Sequence, residues 1–527
     1  MAAVLFRHPV IHTFDGSGGP VDAILTVDGT ITAIGEYARL REQAPTGTRT
    51  EDLPGAAVVA GFHDAHIHSA TFARELDALD LRGVADLDEA LDRLRAYLDA
   101  HPGDDWMFGG RWDSNTWAVP VQPNRRDLDR VSPVRPVALS SIDGHTVWVN
   151  SAALRSAGIN STTPDPAGGE IVRDSDGIPT GILREAALDL LDHVPGAADR
   201  RDVEALLTNA QHRLLSYGIT HITDLDGEEV RDAYLTMRDR GTLALRVHKG
   251  IPVSALDKAV VDGRRTGDGD AWFTTGPVKI FADGALGSHT AHMGAGFTGD
   301  SDNHGIAVLS YDELQELVEK ATANRIAVAT HAIGDEANRL VLDAYEAVRG
   351  LTQRHGLRHR IEHAQHLRPE DVARLAALGV IPSSQPTHCT TDFRLAGRLL
   401  AGRDLANYPW RAFADAGAHL AFGSDSPVEP AEPMYGIHAA VTRQNRAGEP
   451  AGGWEPHQRL TVGEALLAYS FGGAYAAGID DRVGRIAPGQ YADFVALERD
   501  PVTEPATDLH RIEVLSTVVG GEVRYAR

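Results

Sequence analysis

Residues 310–331 read SYDELQELVEKATANRIAVATH. Ser310 followed three residues later by Glu313 is a capping-box pattern, in which two side chains satisfy the free N–H groups at a helix start. A helical period follows, then the short β-rich run IAVAT, then His331. The same unit recurs on both sides. DVEALLTNAQHRLLSYG (202–218) reads as a helix and leads into the strand-like ITHITDL. HRIEHAQ precedes the helical RPEDVARLAALG, with Pro369 early in it, where its missing N–H costs nothing. VIPSSQP and then DAGAHLAFGSD complete the series. Strands alternating with helices imply a parallel sheet, and the number of units predicts a (β/α)8 barrel, an α/β fold. An open doubly wound sheet is the alternative, but no Gly-x-Gly-x-x-Gly follows a first strand.

The ends of the chain read differently. AILTVDGTITAIG has Asp28-Gly29 between two β-rich runs, a hairpin signal. ADFVALE and VLSTVVGGEVRYAR, with Gly520-Gly521 as a turn, look alike at the other end. Residues 1–55 and 480–527 are therefore expected to form one composite β-sandwich domain, with the catalytic barrel at 56–479. VVAGFHDAHIH reads as the first barrel strand, yet the next begins only near 219. A gap that long exceeds ordinary connections and predicts an inserted α+β subdomain over 70–200. It holds the helical DLDEALDRLRAYLDA, the aromatic stretch RWDSNTW and the hairpin-like GGEIVRDSDGIPTG.

Composition narrows the class. The net charge of -24 disfavours nucleic acid or an anionic membrane as partner. Cys389 is the single cysteine, so no intrachain disulfide can form, which fits a reducing, cytoplasmic setting. The start, MAAVLFRHPVIHTF, reads as a strand rather than a secretion signal, and no apolar run approaches membrane-spanning length. The expected partner is a small molecule, and a homodimer is expected from the commonness of two-fold assemblies.

Polar residues collect at strand ends. VVAGF is followed by His63-Asp64-Ala65-His66-Ile67-His68, and His66 and His68, two apart, point the same way on a strand. His331 follows IAVAT, His363 follows HRIE, and Asp425 follows LAFGS. In an α/β barrel these ends form the active-site mouth. One such histidine is most simply a hydrogen-bonded structural residue, and among 24 histidines a His-x-His pair arises by chance. The set is more telling, because imidazoles with a carboxylate suit zinc and similar ions.

Lys279 lies within PVKIFADGAL (277–286), a stretch that reads as a buried strand. A buried ammonium is costly. The side chain can snorkel to the strand rim, act as a Schiff-base nucleophile, or react with carbon dioxide to give an anionic carbamate that bridges two metal ions. The surrounding histidines and aspartate favour the carbamate.

GFHDAHIH (61–68), SIDGHTVWVNSAAL (141–154), GILREAA (181–187), PVKIFADGALGS (277–288), THAIGDEAN (330–338), RIEHAQ (360–365), QPTHCTTD (385–392), FGSDSPVEP (422–430) and GRIAPGQYADFVAL (484–497) together resemble the amidohydrolase superfamily. The resemblance is to its third branch, with the YtcJ-like proteins and N-substituted formamide deformylases, and it spans nearly the whole chain. It implies metal ligands at His66, His68, carbamylated Lys279, His331, His363 and Asp425, with two zinc ions as the expected cofactor. His289 is a departure, since many relatives carry arginine there.

The implied reaction is hydrolysis of an amide-type C–N bond, as in an N-substituted formamide or other N-acyl amine, with Asp425 as general base. A helix N-cap is the competing role for Asp425 in Ser-Asp-Ser-Pro. Trp112, Trp117 and His145 are candidate substrate contacts in the insertion, against a plain aromatic core. His388 is expected to touch substrate or to pair with Asp392, and Asp283 to hydrogen-bond a ligand. A deaminase or a cyclic amide or urea hydrolase of the same superfamily is the alternative, and a Schiff-base lyase using Lys279 a more distant one.

Overall fold

The computed structural model describes residues 2–14, 21–76, 78–114, 117–119, 121–141, 146–166, 169–185, 187–191, 194 and 203–527; His145 lies outside them. The chain divides into two compact units, Met1–Thr71 with Leu207–Arg527, and Phe72–Leu206.

The larger unit contains an eight-stranded barrel. Its strands are β1 (Phe62–Ile67), β2 (Ile219–Asp224), β3 (Arg246–Pro252), β4 (Phe273–Phe281), β5 (Val328–Ala332), β6 (Arg360–His363), β7 (Ile381–Ser384) and β8 (Ala421–Phe422). They pair in sequence order, all parallel. The ring closes where β1 meets the segment after β8: His68 N donates to Ser426 O (2.9 Å) and Asp425 N to His66 O (2.7 Å). The seam of the barrel thus joins three of the expected ligands.

The helix of the opening stretch runs Tyr311–Ala323. Its capping box forms, with Ser310 Oγ accepting from Glu313 N and Ser310 N donating to Glu313 Oε2 (2.9 Å). Leu314, Val318 and Ala321 face inward against Val328, Val341 and Ile361. That face pins β5 and so fixes the height of His331 at the barrel mouth.

VVAGFHDAHIH proves to be two strands of different sheets. Ala57–Ala60 pairs antiparallel with Phe494–Leu497, and β1 starts at Phe62. Gly61 lies between them, where a Cβ would come 2.3 Å from Thr220 Oγ1, so the close approach to β2 requires glycine. Ala57–Ala60 belongs to a sheet with Phe494–Leu497, Val514–Val519 and Glu522–Ala526. A second sheet holds Ala3–Arg7, Ala23–Val27, Thr30–Gly35 and Arg49–Asp52. Phe6, Ile24, Val58, Phe494 and Val518 share one core, so both chain ends build this β-sandwich. Both expected hairpins form, with φ of 48° and 78° at Asp28-Gly29 and 60° and 76° at Gly520-Gly521, as two-residue turns demand.

The smaller unit is inserted after β1. Its six-stranded sheet runs Leu79–Asp80, Met107–Trp112, Val137–Ser141, Thr146–Val149, Pro179–Glu185, Gly169–Arg173 in spatial order. The helix Leu87–Ala100 is capped by Asp86, which accepts from Glu89 N. Leu91, Leu94, Trp112, Trp117 and Trp148 form its core.

Candidate metal centre

His66, His363 and Asp425 each offer a ligand atom, and these atoms lie within 4.8 Å of one another. All three residues are buried. His66 Nε2 stands 3.2 Å from Asp425 Oδ1 and has no hydrogen-bond partner. A fully buried ring nitrogen without a partner is costly unless something binds it.

The far sides of the two rings explain which nitrogen is free. His66 Nδ1 donates to Glu362 Oε2 at 2.6 Å. Burial alone would raise the Glu362 pKa, but Arg360, with Nε 2.6 Å from Oε1, and His66 hold it down at about 2. A carboxylate so ionised only accepts, so His66 Nδ1 carries a proton and Nε2 is the ring atom turned toward Asp425. His363 Nδ1 lies 2.8 Å from Gln385 Oε1, which fixes the same tautomer. Burial also keeps His363 well below its ordinary pKa, and so neutral. Both rings are thereby set as metal ligands.

His68 lies at the rim, with Nε2 3.5 Å from Asp425 Oδ1 and Nδ1 3.3 Å from Asp226 Oδ1. Burial disfavours its charge, but these two carboxylates outweigh it and raise the pKa to about 9. Its imidazole can ligate only after giving up that proton. The His331 ring centroid is 4.5 Å from that of His363. His331 Nε2 donates to Gly284 O at 3.0 Å, which leaves the Nδ1 lone pair free. Burial, and then the Lys279 charge, lower its pKa to about 3.

Lys279 is buried on β4, level with Ala329 of β5, and its Nζ lies 4.9 Å from the Phe281 ring. Burial brings the amine down to about 8 against the opposing pull of Glu362 and Asp425. An appreciable fraction of it is therefore neutral near pH 7, the form that reacts with carbon dioxide.

The backbone at the centre is strained. His363, Ala364 and Asp425 have φ of 73°, 46° and 58°, in the left-handed region that costs non-glycine residues energy. At His363 this turn accounts for a departure from strand alternation, since Glu362 and His363 both approach His66. At Asp425 the loop is held by Asp64, which accepts from Ser424 N (2.9 Å), Ser424 Oγ (2.6 Å) and His66 N (3.2 Å). The next helix starts only at Pro433, so Asp425 caps no helix. Burial opposes the Asp425 charge, but the surrounding histidines keep the carboxyl well below its usual range, so it is ionised.

The remaining expected residues divide. His388 sits beside the centre, its Nε2 3.7 Å from Asp425 Oδ2 and its ring stacked 5.7 Å from His363. It does not pair with Asp392, whose Oδ2 accepts from Tyr408 Oη at 2.7 Å. Asp283 accepts from His292 N, Ile333 N and Gly334 N at 2.8–3.0 Å, and lies 3.5 Å from His331 Nε2. Its hydrogen bonds tie together the loop that follows β5, while His331 Nε2 spends its N–H on Gly284 O instead. Trp112 is 4% exposed and donates from Nε1 to Leu139 O (2.8 Å), so core packing, not substrate contact, accounts for it. Trp117 is buried in the same core. His289 packs against Phe297.

Several working residues escaped the sequence reading. Glu362 was hidden by its place next to His363, Gln385 stood in QPTHCTTD without an assigned role, and Asp226 lay outside any motif. Lys249, 1% exposed on β3, is a second buried lysine, but its Nζ pairs with Asp224 Oδ1 at 3.1 Å. That salt bridge separates it from Lys279.

Among the described residues no helix is long and apolar enough to cross a membrane. The sequence profile of the amidohydrolase family matches residues 49–525. The chain is 33% identical to the putative amidohydrolase YtcJ of Bacillus subtilis, over 98% of each protein. It is 31% identical to an N-substituted formamide deformylase of Arthrobacter pascens, over 98% of this chain and 97% of that one. An uncharacterized metal-dependent hydrolase from Pyrococcus horikoshii superposes with a TM-score of 0.80 at 26% identity, over 96% of this chain and 99% of that one. With its barrel and its His66–His363–Asp425 centre, the chain belongs to the amidohydrolase family, hydrolytic enzymes that act on carbon–nitrogen bonds.

Proposed function

We propose that this enzyme hydrolyses the amide C–N bond of an N-substituted formamide or another N-acyl amine. The observation that carries the reading is the pair of hydrogen bonds to Glu362 and Gln385, which hold Nδ1 of His66 and of His363 and leave the opposite ring nitrogens to gather with Asp425. The donor set fits a divalent ion, with zinc as the metal suited to imidazole and carboxylate. His66, His68, His363 and Asp425 would hold it, with His331 and a Lys279 carbamate completing a two-ion site. Such ions supply Lewis acidity toward the substrate carbonyl and an acidified water.

Asp425 takes a proton from the attacking water and returns it to the departing nitrogen. Its position at the barrel seam, tied through Ser424 to Asp64, holds the carboxylate still while it does so. His388 faces the other Asp425 oxygen, which supports a role for it in touching the substrate. Lys279 forms its carbamate when the neutral amine adds to carbon dioxide and loses one proton, which replaces a buried cation with an anion.

The test is hydrolysis of a panel of N-alkylformamides and N-acetylamines by protein with measured zinc content. Release of amine in proportion to bound zinc supports the reading. A zinc-loaded protein that releases no amine from any of them, while deaminating an aminated ring, would replace it.

A further inference from the structure

Strand β3 carries a buried lysine that the mechanism leaves unused. Lys249 and Asp224, its partner at the end of β2, are both buried, and Nζ lies 3.1 Å from Oδ1. The two are register neighbours across the β2–β3 pair, and Asp224 is in turn the register neighbour of Ile67 on β1. One row therefore runs across three strands at the barrel mouth and ends at the residue before His68. Lys249 Nζ also donates to Gly250 O at 3.0 Å and to Asp226 O, so all three of its donors are used.

Stability alone does not explain such a pair. Taking both charges out of water costs about as much as their attraction returns, and packed apolar residues in their place are often no less stable. What sets this pair apart is what Asp224 also holds. Its Oδ2 accepts from Ser69 N at 3.0 Å and from Ser69 Oγ, and its Oδ1 accepts from Asp226 N at 3.1 Å. Tyr234 Oη donates to Ser69 Oγ at 2.7 Å. Ser69 follows His68 directly, and Asp226 Oδ1 stands 3.3 Å from His68 Nδ1. Asp226 is tied a second time by Ala70 N, which donates to its Oδ2 at 2.7 Å. One carboxylate thus fixes both the chain on which His68 stands and the residue that its ring faces. The other histidine of the pair is built alike: behind His66 stands Glu362, and Arg360 Nε lies 2.6 Å from Glu362 Oε1.

We infer that Lys249 is a positioning residue for His68, acting through Asp224 and the backbone of Asp226. This rests on the reading of His68 as a metal ligand under the proposed function. The lysine supplies the cation beside Asp224, and its bond to Asp226 O holds the turn after β2 against the His68 ring. Without it, Asp224 is a buried carboxylate with no cation, and the turn that carries Asp226 loses one of its ties. His68 then keeps its place in the chain but not a fixed ring orientation, which is what a metal ligand needs from the residues behind it.

The experiment is the zinc affinity of the full-length protein and its variants, read by competition with a chelator well below Tm. Asp226→Asn should weaken zinc binding by roughly 10–100-fold, the usual effect of losing the partner behind a metal ligand. Lys249→Met, close in size and uncharged, should weaken it by about ten-fold. Lys249→Met added to Asp226→Asn should weaken it little further, because both substitutions act on one path. A lysine with a purely structural role would lower Tm and leave zinc affinity unchanged, or would add its full effect to that of Asp226→Asn, and either result overturns the inference. Should Lys249→Met fail to fold, Lys249→Met with Asp224→Asn removes both charges together, and it should restore folding but not zinc affinity. Wild-type zinc affinity in that double variant overturns the inference, as does wild-type affinity in His68→Ala, which would remove His68 from the ligands. Zinc affinity that depends on Lys249 in a protein that hydrolyses no amide would uphold the inference and refute the proposed function. Zinc-dependent amide hydrolysis with no dependence of zinc affinity on Lys249 would do the reverse.

Discussion

His66 Nδ1 and Glu362 Oε2 lie 2.6 Å apart in a fully buried hydrogen bond between β1 and β6. That bond sets which nitrogen of His66 faces the centre. Glu362→Gln keeps an acceptor oxygen but removes the charge that supports the ligand. Zinc affinity should fall by roughly 10–100-fold, the usual effect of losing a partner behind a metal ligand. Arg360, left with an unpaired buried charge, should also lower Tm. Competition with a chelator of known affinity reads the first effect, and unchanged affinity would remove Glu362 from the account.

In the proposed reaction Asp425 serves as ligand and base together. Asp425→Asn should lower kcat by at least about 100-fold, the lower end for a lost general base. Zinc content by elemental analysis separates the two roles, since a pure base would leave it unchanged and a ligand would lower it. A variant with near-normal kcat would transfer the proton work to another group.

Lys279 should need carbon dioxide. Protein stripped of metal and bicarbonate, then given zinc alone, should recover activity slowly, and added bicarbonate should speed recovery. Lys279→Arg, always charged, should show no bicarbonate effect. Recovery that ignores bicarbonate in the wild type would rule out the carbamate.

Acid should destabilise the barrel through histidines away from the metal centre. His63, His221 and His248 are buried, and burial holds each well below its ordinary pKa. Above the unfolded value of about 6.5 they contribute no pH dependence, because both states are neutral. Below it the unfolded chain binds protons that the folded chain refuses, so stability falls by up to about 1.4 kcal/mol per pH unit for each. Urea unfolding between pH 7 and 5 reads the slope, which should be shallower in His248→Gln by about one proton's worth. Equal slopes would mean that His248 titrates normally in the fold.

The candidate ligands were legible because a parallel barrel puts strand ends at one mouth, so His66, His331, His363 and Asp425 announce themselves by following apolar runs. The capping box at Ser310 and the two-residue turns at Asp28-Gly29 and Gly520-Gly521 were legible for local reasons, each being set by its own residues. Glu362 was not, because strand alternation places it opposite His363, and only the left-handed backbone at His363 brings both inward. The division of VVAGFHDAHIH into two strands depends on Phe494–Leu497, over 400 residues away, which no local pattern reveals. Trp112 misled because an aromatic cluster in an insertion reads equally as a pocket wall or as a core, and the Nε1 bond to Leu139 O settles it as core. The partner of His388 turned on Tyr408, which takes Asp392 for itself.

Catalysis by the proposed reaction depends on the centre built by His66, His363 and Asp425. Zinc titration into metal-stripped protein, with amine release from an N-acyl alkylamine as the readout, tests it most directly. Activity should be absent at first and rise in proportion to zinc until about two ions are bound per chain. Full activity in the stripped protein, unaffected by chelator, would contradict the account.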